Sequence, residues 1–454
     1  MSNSNVNRRD FLKSSAVVSA GAAASIIVGP AAKKVLGAND RLNIGVIGAS
    51  ARARQALMPQ VFRLSDKLNA EIVAVCDLWS VNREKGVKMC ADRYGRKPKE
   101  FKYMDEMLKM SDLDGVIIGT GDFQHALLLE QLVKAGKDCY CEKPMAIVLD
   151  HAKRAYNAVK NSKQVVQIGT QVLSSPTSYG ARKAVQSGVL GKISKIDMFA
   201  SYWGPRWRGR EETKMIREQD TDWKAWILDR PYRPFDPVLY FEYRIYKDFA
   251  AGIAGQWMSH NIAEVGMIMG ETMPRCIYTM GGNYLWKDGR EVSDTYHCLI
   301  KYPSEFNVSY SCNFGNNYGD YLRFYGLNGT MEKVSGGMES GRYVISGIGG
   351  GGEPTPENEE RARKQAGSGM EFRVNKNRIR EKQDVQGEGG TPGEDGHMQN
   401  FLECMRSRKE PGASILSGYA HSVICIMAHQ SDLSGKPLYW DAKREEIVDA
   451  PPRG

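Results

Sequence analysis

Ile44-Gly45-Val46-Ile47-Gly48-Ala49-Ser50-Ala51-Arg52-Ala53, written IGVIGASARA, decides how the first half of the chain folds. An apolar run ending in glycine and passing into a helical stretch is the entry to a turn of the G-x-G-x-x-G kind. Gly48 keeps the first glycine, Ser50 replaces the second and Ala53 the third. Gly48, followed by Ala49, permits the tight turn, and the small Ala53 lets helix and strand pack closely. Ser50 adds a Cβ and a hydroxyl where backbone would approach a pyrophosphate, and that hydroxyl can bond a phosphate oxygen. The helix that follows still offers free N–H groups to an anion. Arg52 and Arg54 either add charge there or are simply solvated.

The residues around this loop supply its context. Arg41 to Gly48, Glu71 to Asp77, Asp114 to Thr120, Asp138 to Glu142 and Val165 to Gly169 are short, β-rich apolar runs. Helical spacing separates them at Arg52 to Leu64, Val81 to Arg93 and Ala126 to Ala135. Such alternation predicts a parallel sheet covered on both faces, a doubly wound Rossmann fold. Asp77 ends the second run. An acid there pairs with a ribose 2′-hydroxyl and repels a 2′-phosphate, favouring NAD(H) over NADP(H), unless it only caps the next helix.

Cys141-Glu142-Lys143-Pro144 resembles the Glu-Lys-Pro signature of the Gfo/Idh/MocA oxidoreductases. Gly119-Thr120-Gly121-Asp122-Phe123-Gln124-His125-Ala126, Gln167 to Gln171 and Gly188 to Ile193 are similar to further segments of that family, in order. The resemblance spans Arg41 to Asp441. It implies a tightly held NAD(H) contacted by Gly48, Ala49, Ser50, Ala53, Asp77, Thr120, His125, Glu142, Lys143 and Gln171. It also implies a sugar substrate and a homo-oligomer. Lys143, at the carboxyl end of a strand where ligands bind, is expected to polarise or deprotonate a sugar hydroxyl. The family's second-domain histidine falls on His260, the expected general base. Gln256 stands where the family has an acid; it can bond substrate or orient His260, but it cannot take a proton.

From Gln171 the pattern changes. Ile193 to Tyr202, Cys276 to Met280, Tyr296 to Tyr302, Phe306 to Cys312 and Tyr321 to Gly326 alternate like strands, predicting an open, mostly antiparallel sheet in an α+β domain. Tyr202 to Asp248 is dense in rings, among them Trp203, Trp207, Trp223, Trp226, Tyr240 and Tyr243. They either stack on sugar faces or form a small core covering that sheet. Arg244 and Asp248 are candidate substrate contacts beside Gln256 and His260. Gly347 to Gly352 and Gln386 to Gly396 read as glycine-rich loops. His397 to Met405 and Gly418 to Leu433 read as helices, the second packing back on the first domain, and Lys436 to Asp441 as a last short strand or arm.

At the N-terminus, Arg8-Arg9-Asp10-Phe11-Leu12-Lys13 precedes an uncharged run, Ser14 to Ala32, rich in Ala, Gly and Ser. This order is that of a twin-arginine export signal, which implies the twin-arginine machinery as a partner and a periplasmic or otherwise exported protein. The run is too weakly apolar for stable membrane insertion. The expected organisation is signal 1–38, nucleotide-binding domain 41–170, substrate and oligomerisation domain 171–441 and tail 442–454. A formal charge of +9 over 454 residues, scattered and without an aromatic-interleaved stripe, argues against nucleic acid binding. The nine cysteines and the remaining five histidines, His421 and His429 included, show no metal-ligand spacing. Three functions stay open: a sugar or glycoside oxidoreductase, a redox-assisted glycosidase or lyase working through a transient 3-keto sugar, and a non-catalytic sugar-binding protein. Ser50 and Gln256 favour the last; Asp77, Lys143, Pro144 and His260 oppose it.

Overall fold

The computed structural model describes residues 40–334, 341–347 and 381–452, with isolated positions at 357, 360, 364 and 379. The signal segment and most of Gly347 to Gly352 lie outside the described residues. Residues 41–454 form one compact unit built on two sheets.

The first sheet holds β1 (Leu42–Ile47), β2 (Ala70–Cys76), β3 (Lys99–Phe101), β4 (Gly115–Ile118), β5 (Asp138–Cys141) and β6 (Val166–Ile168), in spatial order β3-β2-β1-β4-β5-β6 and wholly parallel. Apolar residues dominate β1, β2 and β4 because helices cover both faces, and the polar Asn43, Glu71 and, in β5, Asp138 each have a hydrogen-bond partner. The order reverses between β1 and β4, and the crevice outside their carboxyl ends is where this fold binds ligands. β3 was not anticipated: Lys99-Glu100-Phe101 is an edge strand with two exposed charged residues, and it carries no apolar signal. The helix expected over 52–64 opens instead as a π-helical turn, Ala53–Leu57, before the α-helix Met58–Leu68.

The second sheet holds β7 (Ile193–Ser201), β8 (Cys276–Gly282), β9 (Thr295–Lys301), β10 (Asn307–Asn313), β11 (Gly319–Gly326), β12 (Thr330–Val334), β13 (Arg342–Ser346), β14 (Gln383–Asp384), β15 (Leu438–Asp441) and β16 (Glu446–Val448). All neighbours pair antiparallel except β7 and β10. Strand β9 shows why: Tyr296, Cys298 and Ile300 are buried while His297, Leu299 and Lys301 are exposed, the period of two of a sheet covered on one side. Residues 446–448, placed by sequence in the tail, pair with β15 at the sheet edge.

Two late helices join the sheets. Gly396–Ser407 packs on the first domain, where His397 Nε2 lies 3.0 Å from the Ile168 carbonyl and Gln167 Nε2 donates to the His397 carbonyl at 2.7 Å. The long helix Ile415–Ser434 reaches both domains, with Ser422 Oγ accepting from Ala146 N–H at 3.2 Å. Gly418 makes that approach possible, since a Cβ there would sit 2.6 Å from Ile168 Cγ1.

Candidate active site

A cavity of about 710 Å³ opens at the switch point between β1 and β4 and runs to the helix Ser259–Met269 of the second domain. Gly48, Ser50, Asp77, Thr120, His125, Glu142 and Lys143 line it from the first domain, and Arg244, Gln256 and His260 from the second. Sequence reasoning placed these ten residues together, and the fold brings them to one space.

The entry loop is shaped by close packing. Gly48 has φ +76°, and a Cβ on it would lie 2.7 Å from Thr120 Cγ2 and 2.9 Å from the backbone of Gly119. A side chain there would fill the turn. Ala53 does not line the cavity; it faces Gly119, on which a Cβ would be 3.2 Å from that of Ala53, so both must be small. Ala49 is likewise a buried support, not a lining residue. Ser50 departs from expectation. Its hydroxyl donates to the Gly119 carbonyl at 2.8 Å and accepts from Ala53 N–H at 3.4 Å. The serine therefore ties the loop to the end of β4 and opens the following helix. Arg52 pairs with Glu142 at 2.8 Å, and Arg54 reaches the Ala49 carbonyl and, at 2.7 Å, Asn82.

Asp77 accepts the Trp79 N–H at 2.9 Å, and burial pushes its carboxyl up to about 6 against that bond and the nearby Arg54. Thr120 Oγ1 is buried without a hydrogen-bond partner among the described residues. A buried carboxylate and an orphaned hydroxyl facing a cavity are groups that a ligand rich in hydroxyl and phosphate oxygens would satisfy.

At the far end, Lys143 follows β5 in a turn whose Lys143–Pro144 peptide is cis. His125 braces the turn, with Nδ1 2.8 Å from the Pro144 carbonyl and Nε2 3.3 Å from the Thr120 carbonyl. Lys143 Nζ donates to the backbone carbonyl of Gln256 at 2.6 Å, and burial lowers its ammonium to about 8 although Glu142 and Asp122 pull the other way. Burial, with the charge of Lys143, holds His260 well below its ordinary value, so the imidazole is neutral. Its Nδ1 has no partner among the described residues. Gln256 is a hub: Oε1 accepts Arg244 Nε at 2.8 Å and Nε2 donates to Asp122.

Two expected contacts lie elsewhere. Asp248 does not line the cavity, because Arg233 holds its carboxylate at 2.8 Å. Gln171 also lies off the cavity, its Nε2 donating to the Tyr140 hydroxyl at 3.4 Å. The aromatic segment is a further correction. Trp223, Trp226, Tyr240 and Tyr243 pack against Trp79 and Phe123 of the first domain, so they cover the nucleotide-side crevice and not the sheet. Gln124 Nε2 donates to the Trp226 carbonyl at 2.6 Å, fixing that cover. Trp207 and Trp257 line the cavity in a near-parallel stack, 5.1 Å apart. Sequence reasoning did not single out Asp122 or Trp79. The one signal for Asp122 was its place three residues before His125 in a recognised segment.

Comparison with known proteins agrees with this geometry. Residues 42–170 match the oxidoreductase family described as an NAD-binding Rossmann fold, and residues 5–25 match the twin-arginine translocation signal. Inositol 2-dehydrogenase of Rhizobium meliloti is 28% identical over 133 residues, which are 29% of this chain and 38% of that protein. Matches to curated relatives cover 38% to 56% of their length. Two solved structures share the fold over 88% of this chain and 99% of theirs. They are the aldose-aldose oxidoreductase of Caulobacter crescentus (15% identity, TM-score 0.63) and the WlbA dehydrogenase of Bordetella pertussis with NADH and UDP-GlcNAcA (14%, 0.62). Residues 42–170 are thus an NAD-binding Rossmann domain of the Gfo/Idh/MocA oxidoreductase type, and they lie behind a twin-arginine signal at residues 5–25.

Proposed function

We propose that this protein is an exported oxidoreductase that moves hydride between a sugar or glycoside and an NAD(H) it retains between turnovers. One observation carries the reading: Lys143 and the neutral His260 line the same cavity, which begins at Gly48 and Asp77. Gly48, Ser50, Asp77 and Thr120 would hold the nucleotide, and when bound it supplies the hydride acceptor or donor. His260 is in the state to take a hydroxyl proton, and the Lys143 ammonium stabilises the negative oxygen that develops. Trp207 and Trp257 offer flat apolar surface to a sugar ring.

Retention follows from the cover. Releasing a nucleotide past it would expose Trp79 and Phe123, each 1% exposed, together with Trp226 and Tyr240. The names of the relatives, inositol 2-dehydrogenase and aldose-aldose oxidoreductase, support a polyol or sugar substrate. The twin-arginine signal supports export of the folded protein with its nucleotide inside.

A second reading is favoured by Gln256. It cannot accept a proton, which leaves Lys143 and His260 as the acid–base pair. With a ketone at sugar C3, one of them removes the proton from C2, the C1–O bond breaks, and the other protonates the departing oxygen.

The deciding experiment uses protein purified without added nucleotide and then denatured. Stoichiometric NAD(H) by mass spectrometry supports retention; an empty protein that also fails to bind added NAD(H) overturns the reading. A glycoside panel then separates the chemistries. Keto-sugar formation marks the oxidoreductase, and release of the glycosidic group marks the lyase.

A further inference from the structure

Asp122 is 1% exposed and lies on the short turn after β4, beside the reactive end of the cavity but not on its lining. Its Oδ1 accepts the Tyr243 hydroxyl at 2.9 Å and faces the Arg244 guanidinium at 4.0 Å, while Oδ2 accepts the side-chain amide of Gln256. Gln256 is thereby fixed in one orientation, amide nitrogen to the carboxylate and oxygen to Arg244 Nε. Its main-chain carbonyl receives Lys143 Nζ. Tyr243, Arg244 and Gln256 belong to the second domain and Asp122 and Lys143 to the first, so the network also sets the separation of the two cavity walls. The other carboxylate beside Lys143, that of Glu142, is paired with Arg52. Asp122 thus ties Tyr243, Arg244 and Gln256 into one buried network, and such a network is costly to break from one side only.

We propose that Asp122 is a positioning residue for the reaction: through Gln256 and Arg244 it fixes the wall that faces Lys143, and it adds to Glu142 as counter-charge for the lysine. This inference rests on the reading of Lys143 as catalytic. Besides Asp122, the charged and titratable groups facing Lys143 are Glu142, Arg244 and Arg52, with His260, His421 and Cys425 on the helices packed behind it. Only Asp122 changes charge in the single variant used below. A carboxylate stabilises an ammonium, so its removal makes Lys143 lose its proton at lower pH.

The test is competitive acetylation of Lys143 with acetic anhydride across pH, read by mass spectrometry on the full protein with its nucleotide. Wild type is compared with Asp122→Asn and with the double variant Asp122→Asn/Gln256→Glu, which moves the carboxylate across the same hydrogen bond. The lysine midpoint is expected to fall in the single variant and to return towards the native value in the double. With a turned-over sugar, kcat is expected to fall about ten-fold in the single variant with a smaller change in KM, and to recover in part in the double. A midpoint unchanged by Asp122→Asn, or a double variant no closer to wild type than the single, overturns the proposal. Should the single variant fail to fold, the double, which keeps one buried carboxylate, decides by the same midpoint. A wild-type protein that turns over no sugar or glycoside defeats the oxidoreductase reading instead, and the labelling still decides the role of Asp122.

Discussion

The two ends of the cavity are built by opposite means. At the Asp77 end the wall is closed by apolar packing. Trp79 and Phe123 of the first domain meet Trp226, Tyr240 and Tyr243 of the second in an apolar cluster, over a loop whose Gly48 and Ala53 leave no spare room. At the Lys143 end the polar groups are held but not used up. Lys143 is partly neutralised by burial, His260 is neutral, and among the described residues its Nδ1 has no partner and Arg244 makes one close hydrogen bond, to Gln256. The difference sets a closed apolar cover against a poised polar end: apolar burial is non-directional and strong in sum, whereas proton transfer needs groups poised between two states.

That comparison can be broken most directly at Lys143. Lys143→Ala is expected to lower kcat by about 10³-fold while the protein still carries its nucleotide, shown by turnover assays beside nucleotide content after denaturation. Loss of the nucleotide in this variant would erase the distinction between the ends. Trp226→Ala should do the converse. Truncating a buried tryptophan costs roughly 3–5 kcal/mol, so thermal unfolding moves down and the nucleotide is lost on gel filtration. Added NAD(H) should restore turnover. His260→Ala is expected to cost about 10²-fold in kcat, again with the nucleotide retained.

The remaining tests sharpen the comparison at the Asp77 end. The carboxyl of Asp77 is raised from the ordinary 3.8 to about 6 by burial. Between those values the folded protein without nucleotide keeps a proton that the unfolded chain has released, so its stability falls as pH rises through that window. Nucleotide binding is expected to run the other way, because an ionised carboxylate can accept from two ribose hydroxyls at once. NAD(H) affinity should drop below pH 6, and Asp77→Asn should flatten that dependence; calorimetric titration at pH 5 and pH 8 checks both. Ser50→Gly has the smallest expected effect, about 1 kcal/mol in thermal stability from the lost bond to Gly119, with nucleotide retained. Complete loss of nucleotide in Ser50→Gly would show that the hydroxyl contacts the phosphates and does more than tie the loop.

The chain by itself determined the parallel sheet, because a strand buried on both faces is written mostly in apolar residues, as β1, β2 and β4 are. It determined the one-sided sheet as well, through the alternation of β9 and β10. It also placed Gly48, Asp77 and Lys143, since each sits at the carboxyl end of such a strand, where position along the chain implies position at the crevice. Short edge strands such as β3 and β16 escaped, having too little buried surface to leave a pattern. Only the tertiary structure decided what the rings of Tyr202 to Asp248 cover, because aromatic residues carry the same signature whichever apolar surface they meet. The same holds for pairwise polar contacts. Asp248 beside Arg233, Ser50 beside Gly119 and Asp122 beside Gln256 depend on distances between segments that the sequence leaves far apart. A hydrogen bond is specified by tenths of an ångström, and spacing along the chain fixes that only within one helix or strand.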